Sequence, residues 1–255
     1  MLIATKKRKR KNEMKKPLKI LIIDNNREEK SKGSKNIVHW ALKMAPEGSE
    51  VLVRRAPDRD LPQGVEIDAL LLSGSRTSSL ETEEPWIRPY DEFVTRHLEK
   101  GTPILGICYG HQTVGRCLAR MNGQKPTLRT ATDGEFGWIE VRITDESRLL
   151  EGLHERFITY ESHFEEVAEV PPGAFKFAET DRCALQGFEV RGKPVFGIQF
   201  HPEYGIDEAE ASLAEKLKNG VRKEWIVNAG KGSKLYDENV GKVIFGNFFG
   251  IASRS

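Results

Sequence analysis

Between a short apolar run of β character at residues 102–107 and a stretch of helical apolar spacing at residues 110–120 stands Gly106-Ile107-Cys108-Tyr109-Gly110. A strand that becomes a helix within so few residues needs a tight turn, and glycines two before and two after Cys108 let the backbone make it. This constrains the fold to one in which strands feed directly into helices. It also places the cysteine at a helix N-terminus, where free N–H groups favour thiolate over thiol. Alone, the pattern is matched as well by an inert buried cysteine, because three fixed positions in five recur by chance.

A second segment, Gly197-Ile-Gln-Phe-His-Pro-Glu203, begins 91 positions after the first. Residues 194–200 read as a buried strand, and His201 and Glu203 follow at its C-terminal end. Side chains at i and i+2 of an extended segment point the same way, so Glu203 can bind one imidazole nitrogen while the other faces a thiol. Pro202 restricts the backbone between them. Cysteine, base and orienting carboxylate are the minimum set for covalent acyl transfer.

Rival bases exist. His163 has Glu165 at i+2, so spacing alone leaves it open, but its segment is acidic and polar whereas His201 leaves an apolar strand. We rank His201 first and His163 second, the latter as a substrate-pocket residue. His111 has Thr113 at i+2, and we read it as packing beneath the turn. His39, His97 and His154 fall in segments that read as helix or surface loop.

The rest of the chain supports an α/β class. Strands are expected at residues 18–24, 50–55 and 67–72, alternating with helices at 34–44 and 86–99, the last ended by Gly101. Short continuous apolar strands of this kind build a parallel sheet covered on both faces. After the helix that follows Cys108, residues 138–143, 156–160, 175–178 and 185–190 suggest a small antiparallel extension. Helices are expected at 207–219 and 243–251, the last with an aromatic stripe that reads as core. Ser73, Cys108 and His201 then all fall beyond carboxyl ends of strands, where open α/β sheets place their sites. Neither residues 231–234 nor residues 73–79 match a nucleotide-phosphate loop.

The formal charge of +2 misleads, because residues 1–16 hold eight Lys or Arg and one Glu, leaving 32 basic and 37 acidic residues elsewhere. The body is mildly acidic, with no electrostatic reason to bind nucleic acid. We read residues 1–16 as a disordered basic tail, with nuclear import or polyanion binding as its functional alternative and Met14 as an alternative start. Residues 17–255 are read as one catalytic domain, with no room for an ATP-dependent synthetase. Three cysteines argue against a disulfide framework. No signal peptide or membrane-spanning run is found, and a cytoplasmic location suits an active thiolate.

At Cys108, Gln112, His201 and Glu203 the chain resembles the class I glutamine amidotransferases, whose glutaminase domain carries G-x-C-x-G-x-Q and a later H-P-E. The resemblance runs from about residue 18 to the last helix and is similar to both the glutaminase domain of GMP synthases and the γ-glutamyl peptidases. It implies a flavodoxin-like, doubly wound, mostly parallel sheet. It also implies Cys108 as nucleophile, His201 as base and acid, and Glu203 as orienting carboxylate. Ser162, His163 and Phe164 resemble the segment that holds the α-amino and α-carboxylate groups of glutamine, with Gln112 closing the elbow motif. Leu72-Ser-Gly-Ser75 resembles the S-G-G-P turn whose backbone N–H, at Gly74 or Ser75, joins that of Tyr109 in an oxyanion hole. Here Ser75 and Arg76 replace the usual Gly and Pro, which looks more like the stand-alone members. The implied activity is hydrolysis of glutamine to glutamate and ammonia, without metal or organic cofactor, with a separate synthetase as partner. Two alternatives stand beside it: a γ-glutamyl peptidase using the same triad, and a weakly catalytic binding or regulatory module.

Overall fold

A computed structural model describes residues 16–27 and 33–255. Of the basic tail only Lys16 falls within them, so the reading of that tail lies outside the described residues. In chain order the elements are β1 (Lys19–Asp24), α1 (Gly33–Met44), β2 (Glu50–Arg55), β3 (Ala69–Leu72), α2 (Ile87–Lys100), β4 (Ile104–Ile107) and α3 (Tyr109–Met121). There follow β5 (Leu128–Ile143), β6 (Arg156–Val167), β7 (Ala174–Glu179), β8 (Gly187–Val190), β9 (Val195–Ile198) and α4 (Ile206–Lys218). A 3-10 turn (Lys223–Trp225), β10 (Ile226–Val227), α5 (Gly232–Leu235) and α6 (Glu238–Ala252) complete the chain.

Among the described residues, all ten strands join one sheet in the order β10-β5-β7-β8-β9-β4-β3-β1-β2, with β6 pairing to β5 off that path. From β2 to β9 the pairs are parallel, and the order 2-1-3-4 is that of flavodoxin-like sheets. From β9 through β8, β7 and β5 to β6 they are antiparallel. The sheet is therefore mixed, which corrects the expectation of a mostly parallel sheet with a small extension. Strands β5 and β6, at 16 and 12 residues, are the longest among the described residues. Their length was hidden because buried polar residues such as Glu135, Glu161 and His163 interrupt the apolar alternation that marks a strand.

Strand β1 illustrates how the core is divided. Ile20 and Ile22 face α1 and α6, whereas Leu21 and Ile23 face α2 and α3, following the two-residue period of a pleated strand. Every residue of β3, β4, β8 and β9 is buried, as strands covered on both faces require. The aromatic stripe of α6 is core: Phe245, Phe248 and Phe249 are fully buried, and Phe245 stacks on Trp40 of α1 at 5.5 Å. Each such ring contributes roughly 1.5–3 kcal/mol through burial. A third cluster, with Phe136, Trp138 and Tyr160 against Ala209 and Leu213, seats α4 on β5 and β6. That seating brings α4 beside the ends of β4 and β9.

Candidate active site

Strands β3, β4 and β9 are parallel neighbours, so their carboxyl ends open on the same edge of the sheet. Ser73, Cys108 and the segment leading to His201 follow those three ends. Their proximity is direct: a Cβ built on Gly74 would lie 3.0 Å from Cε1 of His201 and 3.5 Å from Cβ of Cys108.

The turn at Cys108 is strained. Its φ of 51° and ψ of −104° lie where L-residues rarely go, at a typical cost of about 1–3 kcal/mol. Close approach of backbones makes the turn possible. A Cβ on Gly106 would sit 2.5 Å from the carbonyl oxygen of Gly110, and one on Gly110 would sit 2.4 Å from that of Leu72. Since backbone atoms cannot swing aside, Gly110→Ala is expected to destabilise the fold by about 3 kcal/mol, seen as a fall in Tm of roughly 6–12 °C. An unchanged Tm would mean the turn relaxes freely.

His201 is held from three sides. Its backbone N–H donates to the carbonyl of Tyr160 at 2.8 Å, its Nδ1 lies 2.7 Å from Oε1 of Glu203, and the Tyr204 ring stands edge-on at 5.1 Å. The ring and the carboxylate are both buried. Burial acts to lower the imidazole's pKa, but Glu203 first and then Cys108 outweigh it, and the result lies well above the usual histidine value. The second ring nitrogen, Nε2, is buried without a well-formed hydrogen bond, on a ring whose side-chain neighbours include Cys108.

The rival histidines are placed differently. His111 is fully buried against Phe188, and burial pushes its pKa down to about 3, so it stays neutral. His163 turns its Nε2 toward Glu135, at 3.0 Å, and Glu161, at 3.5 Å. Its expected local partner Glu165 instead accepts hydrogen bonds from the hydroxyls of Ser78 and Ser79 and the N–H of Ser79, at 2.5–2.7 Å. His97 is buried in α2 against Thr102, with its pKa lowered by burial to about 4.

A cavity of about 710 Å³ opens over Cys108 and His201. Nine of the ten residues singled out in the sequence line it, among them Gly74, Ser75, Gln112, Ser162, His163 and Phe164. The exception is Tyr109, whose ring packs into the core beside Trp86, leaving only its backbone in reach of the site. As the first residue of α3, it carries an N–H that the helix itself does not use. The side chain of Gln112 is buried and donates to the carbonyl of Glu165 at 2.7 Å, so it braces the cavity wall.

The sequence model of the family "Glutamine amidotransferase class-I" matches residues 32–219. The chain belongs to the class I glutamine amidotransferase family. It is 33% identical over 124 residues to a subunit of the glutamine-hydrolyzing GMP synthase of Thermococcus kodakarensis, covering 49% of this chain and 59% of that protein. It is 36% identical over 136 residues to the glutamine-hydrolyzing GMP synthase of Vibrio atlanticus, covering 53% of this chain and 24% of that one. The match thus spans less than two thirds of either relative. In fold, the chain is similar to a glutamine amidotransferase from Thermotoga maritima, with a TM-score of 0.73, 19% identity and 93% and 99% of the two chains covered. A glutamine amidotransferase from Methylobacillus flagellatus gives a TM-score of 0.73 at 18% identity, covering 92% and 95%.

This class I amidotransferase also carries contributions to the site that sequence reasoning missed. Asn25 and Asn26 fasten the turn after β3, donating to the carbonyls of Ser73 and Gly74 at 2.8 and 3.1 Å. Arg76 donates two hydrogen bonds to Glu215 of α4, at 2.7 and 2.5 Å, so the departure from the usual turn sequence ties the turn to α4. From α4, Lys216 lines the cavity and lies over the Phe136 and Phe164 rings, with its pKa lowered by burial and by Arg76. The i, i+4 spacing of α4 carried no signal for this, because which helical face meets the cavity is decided by tertiary packing.

Proposed function

We propose that this protein is a glutamine amidotransferase whose residues 17–255 act as a glutaminase domain. Cys108 thiolate attacks the side-chain amide carbon of glutamine, and the carbonyl electrons collect on an oxyanion that accepts from backbone N–H groups at Tyr109 and at Gly74 or Ser75. His201 gives its proton to the departing nitrogen, which leaves as ammonia. The γ-glutamyl thioester is then attacked by water, whose proton returns to the same imidazole, and glutamate leaves with Cys108 regenerated. The observation that carries this reading is a cysteine at a strained strand-to-helix turn, next to an imidazole held by a carboxylate at 2.7 Å. Ser162, Phe164, Gln112 and the wall containing His163 would shape the substrate end of the cavity. Lys216 supplies a cation there for a substrate carboxylate.

A second reading is favoured by the cavity's size. At about 710 Å³ it exceeds what one glutamine needs, and a γ-glutamyl peptide is accommodated by the same chemistry with an amine as leaving group. Purified protein supplied with glutamine or with glutathione separates the two. We expect ammonia and glutamate in equal amounts from glutamine. Release of cysteinylglycine with a kcat/KM more than tenfold higher would transfer the assignment to the peptidase. Labelling of Cys108 by a glutamine-like electrophile is expected in either case, and a pure binding module would not be labelled.

Two relatives bear the name GMP synthase. We infer a synthetase as the consumer of the ammonia. Among the described residues no helix is long and apolar enough to cross a membrane. All three cysteines are free, and a reducing cytoplasm is the proposed location.

A further inference from the structure

Behind the cavity wall, on the opposite face of β6 from Ser162, lies a buried group that the proposed reaction does not use. Register pairs Glu135 of β5 with His163 of β6, and the two-residue period puts Glu161 on the same face as His163. From the connection between β7 and β8 comes Cys183. A carboxylate oxygen of Glu135, a ring nitrogen of His163 and the sulfur of Cys183 all lie within 4.8 Å of one another. None of the three is more than 3% exposed.

Glu161 is the independent observation. It is fully buried, neither of its oxygens has a hydrogen-bond partner, and its Oε2 points into the group, 3.5 Å from Nε2 of His163. Burying a polar side chain without partners is costly, and two carboxylates here face a single imidazole. A divalent cation held by Glu135, His163 and Cys183, with Glu161 drawn in from beside His163, removes both defects.

We propose that Glu135, Glu161, His163 and Cys183 form a zinc site. One nitrogen, one sulfur and two oxygens suit the tetrahedral, borderline-soft preference of Zn²⁺. Zinc bonds of about 2.0–2.3 Å bring ligand atoms to within about 3.3–3.8 Å of each other, a contraction of roughly 1 Å for Glu135, His163 and Cys183, while Glu161, outside that group, must turn in from its place beside His163. Thr180 donates to Oε1 of Glu135 and Gln186 to Oε2, the oxygen that faces His163, each at 2.7 Å, as outer partners of a ligating carboxylate do. The ion would pin the β7–β8 connection to β5 and β6. Local spacing in the sequence did not suggest a metal, because the ligands come from three separate segments.

The test uses the full chain carrying Cys108→Ala, which removes the other sulfur that lies beside a histidine. One equivalent of Zn²⁺ is expected to remain bound through gel filtration, and one equivalent of Co²⁺ to give a thiolate-to-cobalt charge-transfer band. Adding Cys183→Ser should abolish the band. Thr180→Val, which keeps every ligand, should weaken zinc affinity by about 10–100-fold. Absence of retained zinc and of the band in the Cys108→Ala protein overturns the proposal. So does a band that survives Cys183→Ser, or zinc affinity that is unchanged in Thr180→Val. Each readout is independent of glutaminase activity.

Discussion

A Cys108→Ala variant is expected to release ammonia from glutamine at least about 10⁴-fold more slowly than the unmodified protein, because no other group in the cavity can form the thioester. The loss should fall on kcat, with glutamine still bound. Stability separates this from misfolding, and the strained turn supplies the control. Ala keeps a Cβ at φ 51°, whereas glycine adopts such a conformation without steric cost. Cys108→Gly should therefore be as inactive as Cys108→Ala yet more stable by about 1 kcal/mol, a Tm difference of roughly 2–4 °C. Undiminished ammonia release by either variant removes Cys108 from the reaction. Equal melting of the two would deny that the elbow stores strain.

The elbow was legible because its determinants are local: two glycines, an apolar strand before and a helical pattern after. His201 and Glu203 were legible for the same reason, two residues apart at a strand end, and the parallel strands because they are short and wholly apolar. What stayed hidden depends on partners far apart in the chain. Arg76 meets Glu215 across 139 positions, Ser78 meets Glu165 across 87, and His163 meets Glu135 across 28. Local spacing assigned Glu165 to His163 as readily as it assigned Glu203 to His201. Pairing of β5 with β6 sent the first pair apart, since Glu165 follows the register irregularity between Thr130 and Glu135 and turns to the Ser78–Ser79 loop. The antiparallel half of the sheet was underestimated for a related reason. Its strands bury charged side chains against one another, and a hydrophobicity pattern counts each such residue as solvent-facing.

Glu203→Gln gives the second large expected effect, a fall in kcat/KM on the order of 10²–10⁴ together with a displaced pH profile. The direction of the displacement follows from what acts on His201. Burial lowers its pKa, while Glu203 and Cys108 raise it well above the usual histidine value, so the imidazolium outlasts that of an ordinary histidine as pH rises. With the carboxylate gone, the largest influence opposing burial is lost. The imidazolium then deprotonates at lower pH, and the alkaline limb of kcat/KM should shift toward acid. An amide also fits this position badly, because Oε2 of Glu203 is buried without a partner and the substituted NH₂ has nothing there to donate to. That defect costs about 1–3 kcal/mol of stability, so a thermal melt must accompany the kinetics. A lower Tm with an unmoved alkaline limb would leave Glu203 a structural role only. A shifted limb at temperatures where the variant remains folded identifies it as the group that holds His201 protonated.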